Sequence, residues 1–92
     1  MATLFARYRV ADYAAWKSVY DEVAGLQKAA GVTSHGVYQA EADRNDVTIY
    51  HEFATVEAAK AFAGPPDFKA AMQRAGVVGA PDIWITNRVG GG

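Results

Sequence analysis

Acid–base capacity in this chain rests on two imidazoles, His35 and His51, and five tyrosines, with no cysteine to supply a thiol. An imidazole that titrates near neutrality can remove a proton α to a ketone or from a quinol-type phenol, and a phenol or amide beside it can hydrogen-bond the developing oxyanion. Three stretches carrying such groups alternate in polarity: Thr3-Leu-Phe-Ala-Arg-Tyr-Arg-Val10 holds Tyr8, Val47-Thr-Ile-Tyr-His-Glu-Phe53 holds His51, and Asp82-Ile-Trp-Ile-Thr-Asn-Arg88 holds Asn87. If each is a strand with its aliphatic side inward, Tyr8, His51 and Asn87 face one otherwise aliphatic slot. His51 is then the candidate general base, Tyr8 the candidate donor to an enolate and Asn87 a substrate contact. That set suffices for cofactor-free aldol cyclisation, or for making a carbanion that itself reacts with dioxygen. The competing reading of His51 is a core histidine bonded to a neighbouring side chain or carbonyl. Two imidazoles without a defined third ligand fall short of a zinc site, and the absence of cysteine excludes thiolate-held metals and disulfides, so no metal or cofactor is expected.

The elements that must hold these groups follow from periodicity. Residues 3–10 read as a strand, and Asp12 caps a helix whose apolar positions Trp16, Val19, Tyr20, Val23, Leu26 and Ala30 keep helical spacing until Gly31 ends it. Residues 32–42 and 47–54 flank the polar cluster Asp43-Arg44-Asn45-Asp46 and read as a hairpin. Thr55 caps an Ala-rich helix that runs to Gly64, Pro65 and Pro66 break it, and a second helical piece covers Phe68 to Ala75. Residues 76–81 read as a loop, 82–88 as a last strand, and Gly90 to Gly92 as a disordered tail. The order βαββαβ predicts an α+β, ferredoxin-like single domain over 1–89, with an antiparallel sheet in the order 4-1-3-2 and both helices on one face.

Trp16 and Tyr20, one turn apart, read as core residues that can also line the slot, joined by Phe68 and Met72 from the later helix. His35 has two placements. A four-residue loop pairs Ala42 with Val47 and turns His35 to the outer face, whereas an odd loop length returns it to the slot as a substrate contact. The Pro65-Pro66 break reads as a surface turn or as a gate beside the slot.

The outer face collects Phe5, Tyr38, Tyr50 and Trp84 among Arg7, Arg9, Glu52 and Arg88. Four aromatics there, even half exposed, match or exceed what a monomer usually leaves bare, so a homodimer packed sheet on sheet is expected, with Arg7 or Arg9 paired to Glu52 across strands.

Three stretches are similar to a known group: Val10-Ala-Asp-Tyr-Ala-Ala-Trp16-Lys-Ser-Val-Tyr20, Ala30-Gly-Val-Thr-Ser-His35 and Ala75-Gly-Val-Val-Gly-Ala-Pro81-Asp-Ile-Trp84. They resemble small bacterial members of the dimeric α/β-barrel superfamily, which holds antibiotic-biosynthesis monooxygenases, stress-responsive barrels and polyketide cyclases. The resemblance spans residues 4–89 and implies a barrel closed by a partner subunit, with a ligand slot between each sheet and its own helices. It implies a cofactor-independent monooxygenase or cyclase of an aromatic or polyketide-like metabolite; the alternative is a non-enzymatic ligand-binding or regulatory homodimer. The histidines that cyclase and stress-responsive members carry near the end of the second helix are missing, because Gly64-Pro65-Pro66-Asp67 stands there. Residues 55–75 contain neither His nor Asn, which leaves the haem-degrading pattern unmatched.

Composition narrows the alternatives. Residues of the AVILMFWYC set make up 51% of the 92, enough for a packed core. A net charge of −1 gives no basic field for nucleic acid or an anionic membrane surface. The strand around His51 has no Gly or basic residue of the kind an RNA-recognition module needs. Metallochaperones of this element order need a Cys pair, and acylphosphatases a Gly-rich loop with Arg where Val10-Ala11-Asp12 stands. No apolar run reaches membrane-span length and Arg7 and Arg9 interrupt the N-terminus, so a cytoplasmic, soluble protein is expected.

Overall fold

Alternation along the first strand sets the architecture: Ala2, Leu4, Ala6, Tyr8 and Val10 are buried while Arg7 and Arg9 are exposed. The structure is a computed structural model that describes residues 1–64 and 66–91, with the side chains of 66–68 left out. Its elements are β1 (Ala2–Val10), α1 (Tyr13–Glu22), α2 (Ala24–Ala29), β2 (Ser34–Ala40), β3 (Asp43–Phe53), α3 (Val56–Ala63), α4 (Pro66–Arg74) and β4 (Val77–Asn87). The sheet order is β2-β3-β1-β4 with every pair antiparallel, as the element order predicts. Inward residues of β1 and β3 pack with Trp16 and Tyr20 of α1 and Ala59 of α3 into one core.

The caps form as expected. Asp12 accepts from the Ala15 N–H at 3.0 Å and Thr55 from the Ala58 N–H at 3.1 Å. Asn45 of β3 adds a tertiary cap by accepting the Tyr13 N–H at 3.0 Å, which fixes the start of α1 against the sheet. The single helix expected up to Ala30 is two, joined at Val23, where a β-branched residue precedes Ala24-Gly25 and helix propensity is weak. Gly31 does end the second piece, with φ of 95°.

Two expected loops are strand. The cluster at 43–46 belongs to β3, and the hairpin turns at Glu41-Ala42. Its polarity is cross-strand complementarity: Arg7 pairs with Asp46 at 2.7 Å and Arg9 with Asp43 at 2.6 Å. The expected acid, Glu52, lies opposite Thr3 instead, four residues along β1 from Arg7. Residues 77–81 extend β4 through a register shift opposite Arg7 to Arg9, a bulge on an edge strand that tolerates Pro81 without an N–H.

The sheet face away from the helices carries the expected aromatics. Phe5 stacks on Trp84 with ring centroids 5.7 Å apart, and Tyr38 on Tyr50 at 6.2 Å. Gly36 lies directly opposite Tyr50, and a Cβ there would run into the Tyr50 ring. Trp84 and Tyr38 remain 46% and 58% exposed.

Candidate active site

β3 turns His51 inward, and its cross-strand partners are Leu4 on β1 and His35 on β2. The two imidazoles are therefore neighbours on the helix side, with ring centroids 6.1 Å apart. The loop pairing of Ala42 with Val47 does not form; a register shift next to Gln39 pairs Gln39 with Val47, an odd displacement that reverses the face of β2. His35 is thus on the slot side, although it is exposed and lies at the rim rather than in the lining.

Tyr20 on α1 reaches down between the two histidines. Its hydroxyl lies 2.9 Å from His35 Nδ1 and 3.4 Å from His51 Nε2. Phe62 of α3 closes the other side of His51 at 5.3 Å between rings, and Trp16 packs on Tyr20 at 5.1 Å. Together they border a cavity of about 240 Å³ between sheet and helices, lined by Tyr8, Trp16, Tyr20, Gln27, His51 and Met72 among others. The walls are mostly apolar, with a few polar groups at fixed points, as in small-ligand sites.

Burial governs ionisation here. His51 is 1% exposed, and desolvation, helped by the neighbouring His35, pushes its pKa down to about 4. Burial therefore favours the neutral form of the His51 imidazole. Burial pushes the Tyr20 hydroxyl up to about 12, with the Gln27 amide acting against it. Tyr8 is raised as well by burial, the Trp16 indole pulling the other way. Two buried atoms of the lining residues have no hydrogen-bond partner, His51 Nδ1 and Gln27 Oε1. Leaving such atoms unpaired costs about 1–3 kcal/mol each, which a ligand with complementary groups would recover.

The sequence-predicted residues separate into three groups. His51, Tyr20, Trp16, Tyr8 and Met72 line the cavity. Tyr8, however, sits four residues along β1 from the residue opposite His51, roughly 13 Å at strand rise, so the phenol beside His51 is Tyr20. Asn87 is corrected: it keeps the inward parity, opposite Ala2, but is the exposed last residue of β4 and lies outside the lining. The cavity is walled by residues of all four helices and the inward side of β1 and β3, whereas β4 is the edge strand beyond β1 and contributes none of the lining. The Phe68 side chain and Pro65 of the suggested gate lie outside the described residues. Gln27 and Phe62 were not anticipated. Gln27 was findable, since 16, 20, 23, 27 and 30 form one helical stripe and a glutamine on it is the only amide among apolar neighbours.

Among the described residues no group of three or more His, Cys, Asp or Glu side chains converges to hold a metal, and no helix is long and apolar enough to cross a membrane. What the arrangement offers is a buried imidazole, a phenol and an amide in a mostly apolar cavity.

Known structures share this frame. A Bordetella bronchiseptica protein assigned to the antibiotic biosynthesis monooxygenases superposes with a TM-score of 0.80 at 15% identity, covering 96% of each chain. One from Caulobacter crescentus with the same assignment gives 0.76 at 23% identity over 97% of this chain and 90% of the other. SnoaB from Streptomyces nogalater, described as a cofactor-independent oxygenase, gives 0.73 at 15% identity over 96% and 94%. At these identities the likeness is one of fold. No curated protein sequence matches the chain. The family model for antibiotic biosynthesis monooxygenases does match, over residues 1–74, a span that holds every cavity-lining group named above; by that match, the chain belongs to the antibiotic biosynthesis monooxygenase family.

Proposed function

We propose that the protein is a cofactor-independent monooxygenase of a small planar phenolic or polyketide-like metabolite. The observation that carries the reading is the buried, unpartnered Nδ1 of a neutral His51 in an apolar cavity. A neutral imidazole with a free lone pair is a base, and Gln27, another lining residue, carries a buried amide oxygen with an unused acceptor capacity. Family membership supports oxygen chemistry, and SnoaB shares the fold.

In balance, a methylene flanked by a ketone or an aromatic ring reacts with one dioxygen to give a carbonyl and one water. His51 removes a C–H proton activated by the adjacent group, and the carbanion gives an electron to dioxygen. Recombination forms a C–O bond and, on protonation, a hydroperoxide. Loss of the second C–H proton with O–O cleavage leaves the new carbonyl and water. The mostly apolar walls give solvent few groups to bind beside the carbanion.

The working unit in this reading is a homodimer closed through the outer faces, since stacked Phe5–Trp84 and Tyr38–Tyr50 pairs leave Trp84 and Tyr38 open. Titration of the His51 and His35 imidazole signals with dithranol, a planar phenolic ketone with an acidic methylene, tests the site. Saturable shifts at His51 are expected, and an unperturbed His51 at saturating dithranol refutes the reading.

A further inference from the structure

We infer that His51, Tyr20 and His35 form a proton relay that carries the substrate's proton from the buried His51 to the surface, with His35 as its outer terminus. The inference rests on His51 being the base, and it says what happens to the proton afterwards. His51 is fully buried, His35 is exposed, and the Tyr20 hydroxyl lies within hydrogen-bond reach of both, at 3.4 and 2.9 Å.

The polarity of the chain follows from its geometry. A hydroxyl has one proton, so Tyr20 donates to one imidazole and accepts from the other. If Tyr20 donates along the shorter contact to His35 Nδ1, it accepts from His51 Nε2–H. That tautomer leaves His51 Nδ1, the buried atom without a partner, as a bare lone pair on a residue that lines the cavity. The opposite polarity would make Nδ1–H a donor and His51 no base at all.

Proton transfer then proceeds without a lasting imidazolium inside. As Nδ1 binds the substrate proton, the Nε2–H bond breaks toward the Tyr20 oxygen, and the Tyr20 O–H proton passes to His35 Nδ1. His51 ends as the neutral Nδ1–H tautomer, Tyr20 as a phenol, and His35 as an imidazolium that releases its Nε2 proton to water. Protonation of the peroxide from His51 Nδ1–H runs the chain backward and restores the resting polarity. The relay removes a difficulty of a depressed His51: the proton need not rest on a site where burial disfavours the charge. Other charged or titratable groups acting on the chain are Lys17, over the Tyr20 ring at 5.6 Å, and Asp21 and Tyr50, which both oppose ionisation of Tyr20.

The test combines nitrogen NMR of 15N-histidine-labelled protein with turnover. In the unliganded protein His51 is expected as the Nε2–H tautomer and His35 with Nδ1 unprotonated. Tyr20→Phe and His35→Ala should each slow exchange of the His51 N–H with water by about tenfold or more, and added imidazole should restore exchange in His35→Ala. Loosened packing alone would speed exchange and be indifferent to imidazole. With dithranol, His35→Ala should lower kcat about tenfold at low buffer with little change in KM, and imidazole should rescue it. A resting Nδ1–H tautomer of His51, or exchange in Tyr20→Phe as fast as in the parent, overturns the relay. Absence of dithranol turnover with the expected tautomer and exchange behaviour counts against the oxygenase reading and leaves the relay standing.

Discussion

Replacing His51 by leucine should make the protein more resistant to acid. In the unfolded chain the imidazole binds its proton near 6.5, whereas in the fold burial holds it down to about 4. A depressed histidine leaves the native state undisturbed above 6.5 and destabilises it as pH falls below that value, because the unfolded chain takes up a proton that the folded chain refuses. Over the 2.5 units between those values the penalty grows by about 1.4 kcal/mol per unit and, since His51 is half protonated at its folded value, reaches about 3 kcal/mol at pH 4. His51→Leu removes that term along with the unpaired Nδ1, so at pH 7 its stability should lie within about 1 kcal/mol of the parent. At pH 4 the variant should be the more stable by about 3 kcal/mol, or roughly 12–24 °C in Tm for a chain of this size. Urea unfolding of both proteins from pH 7 to 4 at fixed protein concentration measures the difference, in which carboxylate contributions cancel. A variant-minus-parent difference that stays flat with pH would refute the burial argument, and one that falls toward acid would reverse its sign.

Other consequences follow from the same contacts. Asp12→Ala and Thr55→Ala should each cost about 1 kcal/mol in chemical unfolding by removing a helix cap, and both costs should persist in high salt, unlike those of ion pairs. Trp84→Glu should give a monomer by analytical ultracentrifugation where the parent sediments as a dimer; a monomeric parent at micromolar concentration would end the sheet-on-sheet reading. Gly36→Ala should weaken association by about tenfold, equivalent to 1.4 kcal/mol, by displacing the Tyr50 ring, and an unchanged dimer would exclude Tyr50 from the interface. Asn87→Ala should leave dithranol affinity within about twofold, since the residue lies outside the cavity, and a larger loss would return it to the site.

The sheet order and the caps were legible because each has a local signature: alternation around Tyr8 and His51, and Asp12 and Thr55 ahead of apolar helical stripes. Polarity misled at Asp43–Asp46, since charge complementarity to Arg7 and Arg9 depends on a strand 39 residues away in sequence, which no local window contains. Gly79 and Pro81 misled likewise, because turn residues also serve bulges on edge strands. His51 was found as an inward histidine on a strand. Its phenol partner was not, because Tyr8 and Tyr20 have equal chemistry and only the docking angle of α1 decides which reaches the imidazole. The face of His35 turned on one register shift, and its role beside Tyr20 turned on the same shift.

Oxygen uptake by the metal-free protein with dithranol tests the central claim most directly. The account predicts consumption of one dioxygen per dithranol above the protein-free rate, insensitive to chelators and lost in His51→Leu while that variant stays folded at pH 7. Uptake at the protein-free rate, or uptake that survives His51→Leu, would contradict it.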